Sequence, residues 1–387
     1  VDKFIDESNK IILSIAIPTK DRSDYVKVLI NDLTRSSNES FEIVVHDNSS
    51  HSGLGQTIAA LKDDRIRYHH EPRWLSVVDN CDAAVRACRG TYVCMIGDDD
   101  GILLSEALDA LATYKRDGIE AVTSPVLHYV WPDLEHPLIT GYAGRLAKKP
   151  IKGNSAISDF NRHVGSVFRH AGAFGLQGLP CVYHGFIAKI ALDRLYSLSG
   201  SYFPGPSPDM ANAVGLTSVL SKISWHSKPL VITGHSAVST AGAGTRKSHH
   251  GSIAAQPHLP KDTAQTWDKD IPFFWSGPTI YAQSLRSAAR RCGRRGQDAR
   301  NLACLYATCL IYHREYLQDI RTAIRHSELQ GFWLWVQIIF FGSKLTLMRA
   351  KSLLNNLMRS KRGRGSGSVG AKTISDAMRI AKEWSRS

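Results

Sequence analysis

The sequence predicts an α/β protein: a single Rossmann-like, mostly parallel sheet in the first third of the chain, followed by a helical C-terminal extension. Three observations predict it. Near-continuous apolar runs alternate with amphipathic helical stripes up to about residue 125, the pattern of strands whose two faces are both covered by helices. Three of those runs end in polar clusters, "PTKDR", "HDNSS" and "GDDDG", and in such sheets ligands collect beyond the carboxyl ends of the strands. Beyond Pro278 the periodicity turns helical.

The elements follow in order. Residues 11–17 form an apolar strand that stops at Pro18, and Asp24 can cap a helix whose positions Tyr25, Val28, Leu29 and Leu33 keep the 3.6 period. A second strand over 41–45 runs into a polar turn, and a shorter one covers 65–68. Val77, Val78, Cys81, Ala84, Val85 and Cys88 mark a helix that leads into a strand over 92–96. After three aspartates, Leu103, Leu104, Ala107, Leu108 and Leu111 mark another helix, and "IEAVTSPV" reads as one strand. From 131 to 178 the pattern loosens. Order returns in "CVYHGFIAKIALDRLYSL" as a strand or turn and a helix, and Asp209 then opens an apolar helix after a proline-rich turn. Residues 234–261, rich in Ser, Gly, Ala and His, read as a long loop of the kind that forms lids. The expected organisation is an α/β half over 1–125, a second half over 126–262 that includes this loop, a helical region over 263–358, and a basic linker with a short final helix over 359–387.

A chain of 387 residues with 43% hydrophobic content can bury a sizeable core. Its net charge of +13 implies an anionic partner: a nucleotide, nucleic acid or an acidic membrane surface. The seven cysteines form no CxxC pair and no HExxH occurs, so reduced core thiols in a cytoplasmic setting are expected and a structural zinc is not. Val1 stands where a complete chain would carry methionine, which allows a start further upstream, and no signal peptide is read.

Three consecutive aspartates at a strand end repel one another, and burial adds a desolvation cost. A cation offsets both. Mg2+ or Mn2+ needs oxygen ligands, and one or two carboxylates plus substrate phosphates suffice, so Asp98 and Asp100, with Asp99 between them, are the candidate metal ligands. No GxGxxG or GxxxxGK[ST] phosphate cradle is present. Lys20, Arg22, Arg73, His235, Ser236 and Ser239 are the candidates to meet phosphate charge instead. If an alcohol displaces a diphosphate, it needs a base, and Asp209 fits because a helix start holds it in place.

The segments "LSIAIPTKDR", "FEIVVHDNSS" and "YVCMIGDDDGILLSEAL" resemble the nucleotide-sugar half of family 2 glycosyltransferases, which have the A-type glycosyltransferase fold. The resemblance covers 13–111 well and extends more loosely to 239. It implies that Pro18, Thr19, Lys20 and Arg22 enclose the nucleotide and that Asp47 contacts the base, usually uracil, with His46 where many relatives carry another acid. It also implies that Arg73 and Asn80 line the nucleotide, that Asp98 approaches the ribose or metal, and that Asp100 is the direct metal ligand. Asp99 can exchange roles with either neighbour. "PSPDMANAV" resembles the segment that holds the general base, although Pro208 replaces the first acid of the family's usual Glu-Asp pair; Asp209 is the carry-over. "ITGHSAVSTAG" resembles the following loop, where His235 or Ser239 would meet the diphosphate, and His184 would line the acceptor pocket. The implied reaction transfers a sugar from a nucleoside diphosphate, UDP above others, to a hydroxyl of a glycan or lipid-linked acceptor, with inversion and with Mn2+ or Mg2+. Such chemistry belongs to envelope polysaccharide synthesis.

The basic clusters 290–300 and 359–364 flank "GFWLWVQIIFFGSKLTLM", which falls short of the roughly 20 apolar residues that cross a bilayer. Its aromatic, apolar and basic residues suit an anionic membrane surface on the cytoplasmic side, and equally a buried helix or a homo-oligomer contact. Two other functional classes stay open: a noncatalytic nucleotide-sugar-binding protein, and a nucleic-acid-binding module built on the basic C-terminal region, for which no recognised motif is present.

Overall fold

A computed structural model describes residues 10–51, 53–135, 142–148, 160–239, 250–294, 301–361 and 367–386. The chain runs β1 (Leu13–Thr19), α1 (Ser23–Leu33), β2 (Phe41–Asp47), α2 (Leu54–Leu61), β3 (Ile66–His70), α3 (Val77–Ala87), β4 (Tyr92–Met95), β5 (Gly101–Ile102), α4 (Leu104–Arg116), β6 (Ala121–Thr123) and β7 (Val126–Val130). It continues through β8 (Arg145–Lys148), α5 (Phe160–Arg169), β9 (Phe186–Ala188), α6 (Lys189–Ser199), α7 (Pro208–Leu216), β10 (Ile223–Trp225) and β11 (Val231–His235). The last third holds β12 (His250–Gly251), β13 (Trp275–Ser276), α8 (Gly277–Arg291), α9 (Ala303–Tyr312), α10 (Leu317–His326), α11 (Phe332–Lys361), β14 (Gly367–Val369) and α12 (Ile374–Arg386).

The main sheet has the order β10-β6-β9-β4-β1-β2-β3 and is parallel except for β9, which runs against both neighbours. Strands β1 and β2 are apolar on both faces because both are covered: Leu13, Ile15, Ala16, Ile17, Ile43, Val44 and Val45 are all fully buried. The one polar side chain well inside β1, Ser14, is satisfied by donating to Glu42 at 2.5 Å and accepting from Gly90 N at 2.7 Å. From β1 the chain winds outward through β2 to β3, then returns to place β4 on the opposite side of β1. The strand order therefore reverses between β1 and β4. That switch point opens a crevice at their carboxyl ends, where "PTKDR" and "GDDDG" emerge.

The strand expected from "IEAVTSPV" divides in two at Ser124–Pro125. The first part, β6, stays in the main sheet, and β7 enters a second sheet of order β14-β8-β7-β11-β5. Proline bars a continuous ladder at that point and favours extended backbone before it. The second sheet carries β11 antiparallel to β5, through Val231↔Ile102 and Ile232↔Gly101. This pairing brings residues 130 positions apart against the acidic turn.

A second apolar core joins α7 to α11. Helix α9 is buried all round from Ala303 to Cys309. The terminal helix α12, expected as the end of a basic tail, instead docks on α1, β5 and β11. Its Ile374, Ala377, Met378 and Ala381 join the main core. Gly101 makes the close approach possible, since a Cβ there would lie 2.8 Å from Ile374 and 3.1 Å from Met378. Of the expected 234–261 loop, residues 240–249 lie outside the described residues, as do 295–300 and 362–366 of the basic clusters. The remainder of that loop carries β12 and a short 3-10 helix at Ile253–Ala255.

Candidate active site

The three aspartates form a turn between β4 and β5, and each has its own set of donors. Asp98 accepts from Thr19 Oγ1 at 2.7 Å and faces Arg22 Nη1 at 2.9 Å. Asp99 accepts from Ser236 Oγ at 2.6 Å and Ser236 N at 3.2 Å, and meets Arg22 Nη2 at 3.0 Å. Asp100 accepts from Gly97 N at 2.6 Å, Gly234 N at 2.7 Å, His184 Nε2 at 2.7 Å and Tyr183 Oη at 3.2 Å. All three side chains are buried.

These donor sets split the acids electrostatically. Burial opposes ionisation of Asp100, but the His184 imidazole and the two backbone N–H groups together outweigh it and hold its pKa below the usual carboxylate range. For Asp98, burial dominates over the attraction of Arg22 and pushes the carboxyl up to about 7. Burial and the charge of Asp100 raise Asp99 as well. One guanidinium thus serves two carboxylates that burial leaves short of compensating charge.

The switch-point crevice opens into a cavity of about 470 Å³. Of the residues expected from sequence, Pro18, Arg22, Asp99, Asp209 and Ser239 line it. Asp98 lies one layer behind, hydrogen-bonded to Thr19. Asp100, expected as the direct metal ligand, has its carboxylate taken up by four donors. Asp47 and Asn80 are buried at the end of β2 and on α3: Asp47 accepts from Ser49 and from Tyr68 Oη at 2.9 Å, while Asn80 joins His46 at 2.7 Å to the Thr19 carbonyl at 3.2 Å. They brace the backbone of the "PTKDR" turn. Arg73 is exposed and turned to Glu71, its Nη2 2.6 Å from Oε2. Lys20 is exposed. His235 faces His128 at 3.1 Å, and Ser239 Oγ donates to the Ser236 carbonyl at 2.9 Å.

Asp209 sits in the first turn of α7, after Pro208, where proline's missing N–H costs nothing. Its Oδ1 accepts from Ser207 Oγ at 2.5 Å and Met210 N at 2.8 Å, and its Oδ2 accepts from Tyr281 Oη at 2.5 Å. The carboxylate is part-buried, held at both oxygens, and lines the same cavity as Asp99.

Several cavity and cluster residues escape a sequence reading. Tyr281 sits on α8, whose start is signalled by the capping box Ser276 to Thr279, yet nothing in the sequence aims it at Asp209. His184, expected in the acceptor pocket, instead grips Asp100. Its left-handed backbone, φ 65°, and the turn that packs Gly185 against the Cys181 carbonyl swing its ring there. The glycine following His184 was the only available sign of that turn.

A divalent cation suits this cluster. Asp98 Oδ1 is buried without a hydrogen bond and meets only the Arg22 charge, and two of the three carboxylates are undercompensated. Asp98 and Asp99 are the residues that would hold such an ion; Asp100 gives Oδ2 to three donors and Oδ1 to Gly234 N.

A mostly parallel α/β sheet thus carries acids at its switch point, and a second carboxylate, Asp209, lines the same cavity. Residues 14–172 match the profile described as glycosyl transferase family 2, and the chain carries a domain of that family with the A-type glycosyltransferase fold. Solved structures similar to it include S. aureus TarS 1-349 in complex with UDP-GlcNAc, at 13% identity and TM-score 0.45, covering 81% of this chain and 89% of that one. The mannosyltransferase PcManGT from Pyrobaculum calidifontis, in complex with GDP-Man and Mn2+, is similar at 13% identity and TM-score 0.43, covering 99% and 90%. Glucosyl-3-phosphoglycerate synthase from Mycobacterium tuberculosis follows at 14% identity and TM-score 0.39, covering 73% and 80%. No curated protein sequence matches the chain.

Proposed function

We propose that this glycosyltransferase moves a sugar from a nucleoside diphosphate, UDP above others, to a hydroxyl of a glycan or lipid-linked acceptor, with inversion and with a divalent cation. The observation that carries the reading is that Arg22, Asp99 and Asp209 all line one cavity. These groups are far apart in sequence and complementary in chemistry.

Asp209 takes the acceptor proton. Tyr281 and Ser207 fix the orientation of its two oxygens, so the lone pair offered to the incoming hydroxyl is positioned before substrate arrives. Arg22 is committed to Asp98 and Asp99, and a diphosphate competes for its guanidinium. A bound Mn2+ or Mg2+ supplies Lewis-acid stabilisation of the departing diphosphate. Ser239 and the backbone of β11 close the cavity beside Asp99.

The deciding experiment is a panel of nucleotide sugars with and without Mn2+, read by release of nucleoside diphosphate. One donor is expected to turn over, with activity abolished by chelation. Metal-independent turnover would remove the cation from the reading, and silence across the panel with any acceptor pool would remove the transfer.

The acceptor side of the proposal includes an anionic lipid surface. Helix α11 buries Leu334, Ile338, Phe341 and Leu345 but exposes Phe332, Trp333, Trp335, Ile339, Phe340 and Leu347, with Phe332 74% and Trp333 72% exposed. Residues 329–375 contain no Asp or Glu, while Lys344, Arg349 and Lys351 follow the aromatic face. Apolar insertion with a purely basic flank matches an acidic headgroup layer. No helix among the described residues is long and apolar enough to cross a membrane. The protein is expected to float with anionic liposomes at low salt and to be released as salt screens the attraction. Failure to float, with self-association instead, would assign the face to a second copy.

A further inference from the structure

We propose that His250, His313 and Glu315 form a second divalent-metal site, separate from the acidic turn and of the kind that takes Zn2+. The three come from different elements: His250 from β12, His313 from the end of α9, and Glu315 from the short 3-10 helix Arg314–Tyr316. Their ligand atoms lie within 4.8 Å of one another.

The spacing is that of shared ligation rather than direct contact. Glu315 Oε1 stands 3.7 Å from His250 Nδ1 and 3.6 Å from His313 Nδ1. Both distances exceed a hydrogen bond. Donors bound at about 2.0–2.2 Å to a tetrahedral ion are about 3.4 Å apart, close to what is observed. His313 Nδ1 is also buried without a hydrogen-bond partner, an arrangement that native structures rarely leave unexplained.

The aromatic surroundings hold the rings in place. Phe274 stacks on Tyr316 at 4.1 Å and tilts against the His313 ring at 5.4 Å, while the His250 and His313 rings meet edge-on at 5.7 Å. Two imidazoles and one carboxylate favour Zn2+ over Mg2+ or Ca2+, which prefer all-oxygen shells. Glu315 and His250 are exposed, so the fourth position opens to water.

The location gives the site a role. Strand β12 pairs with β13, and Trp275 of β13 with Gly277 just beyond it lines the active-site cavity. An ion at His250 would pin that wall to the end of α9. It would act by positioning, and it would not touch the reacting atoms.

The test uses the full chain stripped with chelator and titrated with Zn2+ against a chromophoric competitor, with Co2+ as a spectroscopic substitute. One high-affinity equivalent is expected, with a tetrahedral Co2+ absorption band and a zinc-dependent rise in melting temperature. His250→Ala and Glu315→Gln, both at exposed positions, should each weaken binding at least about tenfold and abolish the melting shift, while Asp99→Asn leaves both intact. Unchanged Zn2+ affinity in His250→Ala and Glu315→Gln, or an octahedral Co2+ spectrum in the unmodified chain, would overturn the site. Neither outcome touches the transferase reading, which rests on the acidic turn and Asp209.

Discussion

Asp209→Asn is expected to reduce turnover by about 10²–10⁴-fold while leaving nucleotide-sugar affinity within a few-fold of the unsubstituted chain. The amide keeps the size and most of the contacts of the carboxylate but cannot accept the acceptor's proton. The groups proposed for the donor sit on the turns after β1 and β4 and have no hydrogen bond to Asp209 among those described, so calorimetric titration with donor and metal should change little. Tyr281→Phe should give a smaller loss. It frees Oδ2 from its 2.5 Å hydrogen bond without removing the base. Wild-type turnover in Asp209→Asn would end the assignment of this residue. Loss of both turnover and donor affinity would instead show that Asp209 holds the cavity together. The combination expected here also separates a transferase from a protein that only binds nucleotide sugars.

Gly234→Ala is expected to be among the most destabilising single substitutions in the chain. A Cβ at this position would lie 1.8 Å from the Asp99 carbonyl oxygen, 2.6 Å from its carbon and 3.0 Å from Trp131 Nε1. Two of those three atoms are backbone, so no rotamer change relieves the clash; β11 must move off the acidic turn. That movement also breaks the Gly234 N–H bond to Asp100 and strains the Trp131 Nε1 bond to the Asp99 carbonyl. A loss of about 3 kcal/mol or more follows from overpacking combined with an unsatisfied buried carboxylate, read as a lowered denaturant midpoint. Gly342→Ala is the matched control. Nothing lies within 4 Å of its added Cβ, and the site is inside α11, so alanine should stabilise by roughly 0.5–1 kcal/mol through helix propensity. Equal and small effects at the two glycines would show that β11 does not press on the turn.

The strands of the first half were legible because burial on both faces writes them as uninterrupted apolar runs, as Ile15 to Ile17 and Ile43 to Val45 show. The position of the site was legible for a related reason: polar residues at the ends of such strands must gather at the switch point. What the sequence could not reveal was which acid of Asp98, Asp99 and Asp100 faces the cavity. Adjacent residues in a tight turn point in different directions, and the choice is made by Thr19, Ser236 and His184, which come from other elements. Arg73 shows the opposite limit. A phosphate-binding role fits its charge, but the sequence does not tell that the exposed guanidinium rests on Glu71 two residues away. Tyr281 lies 72 positions beyond Asp209 and became visible only when α8 packed beside α7. The short final helix α12 was readable, whereas the surface it covers was not.

The docking of α12 on Gly101 sets an order of events during synthesis. The segment behind the acidic turn emerges from the ribosome early, but the residues that seal its rear surface emerge some 270 positions later. Until then Ile102 and its neighbours present bare apolar backing to the acidic turn. A copy that stops short of residue 374 would leave that backing open to water, and the acidic turn would lose the packing that Ile374 and Met378 supply behind Gly101.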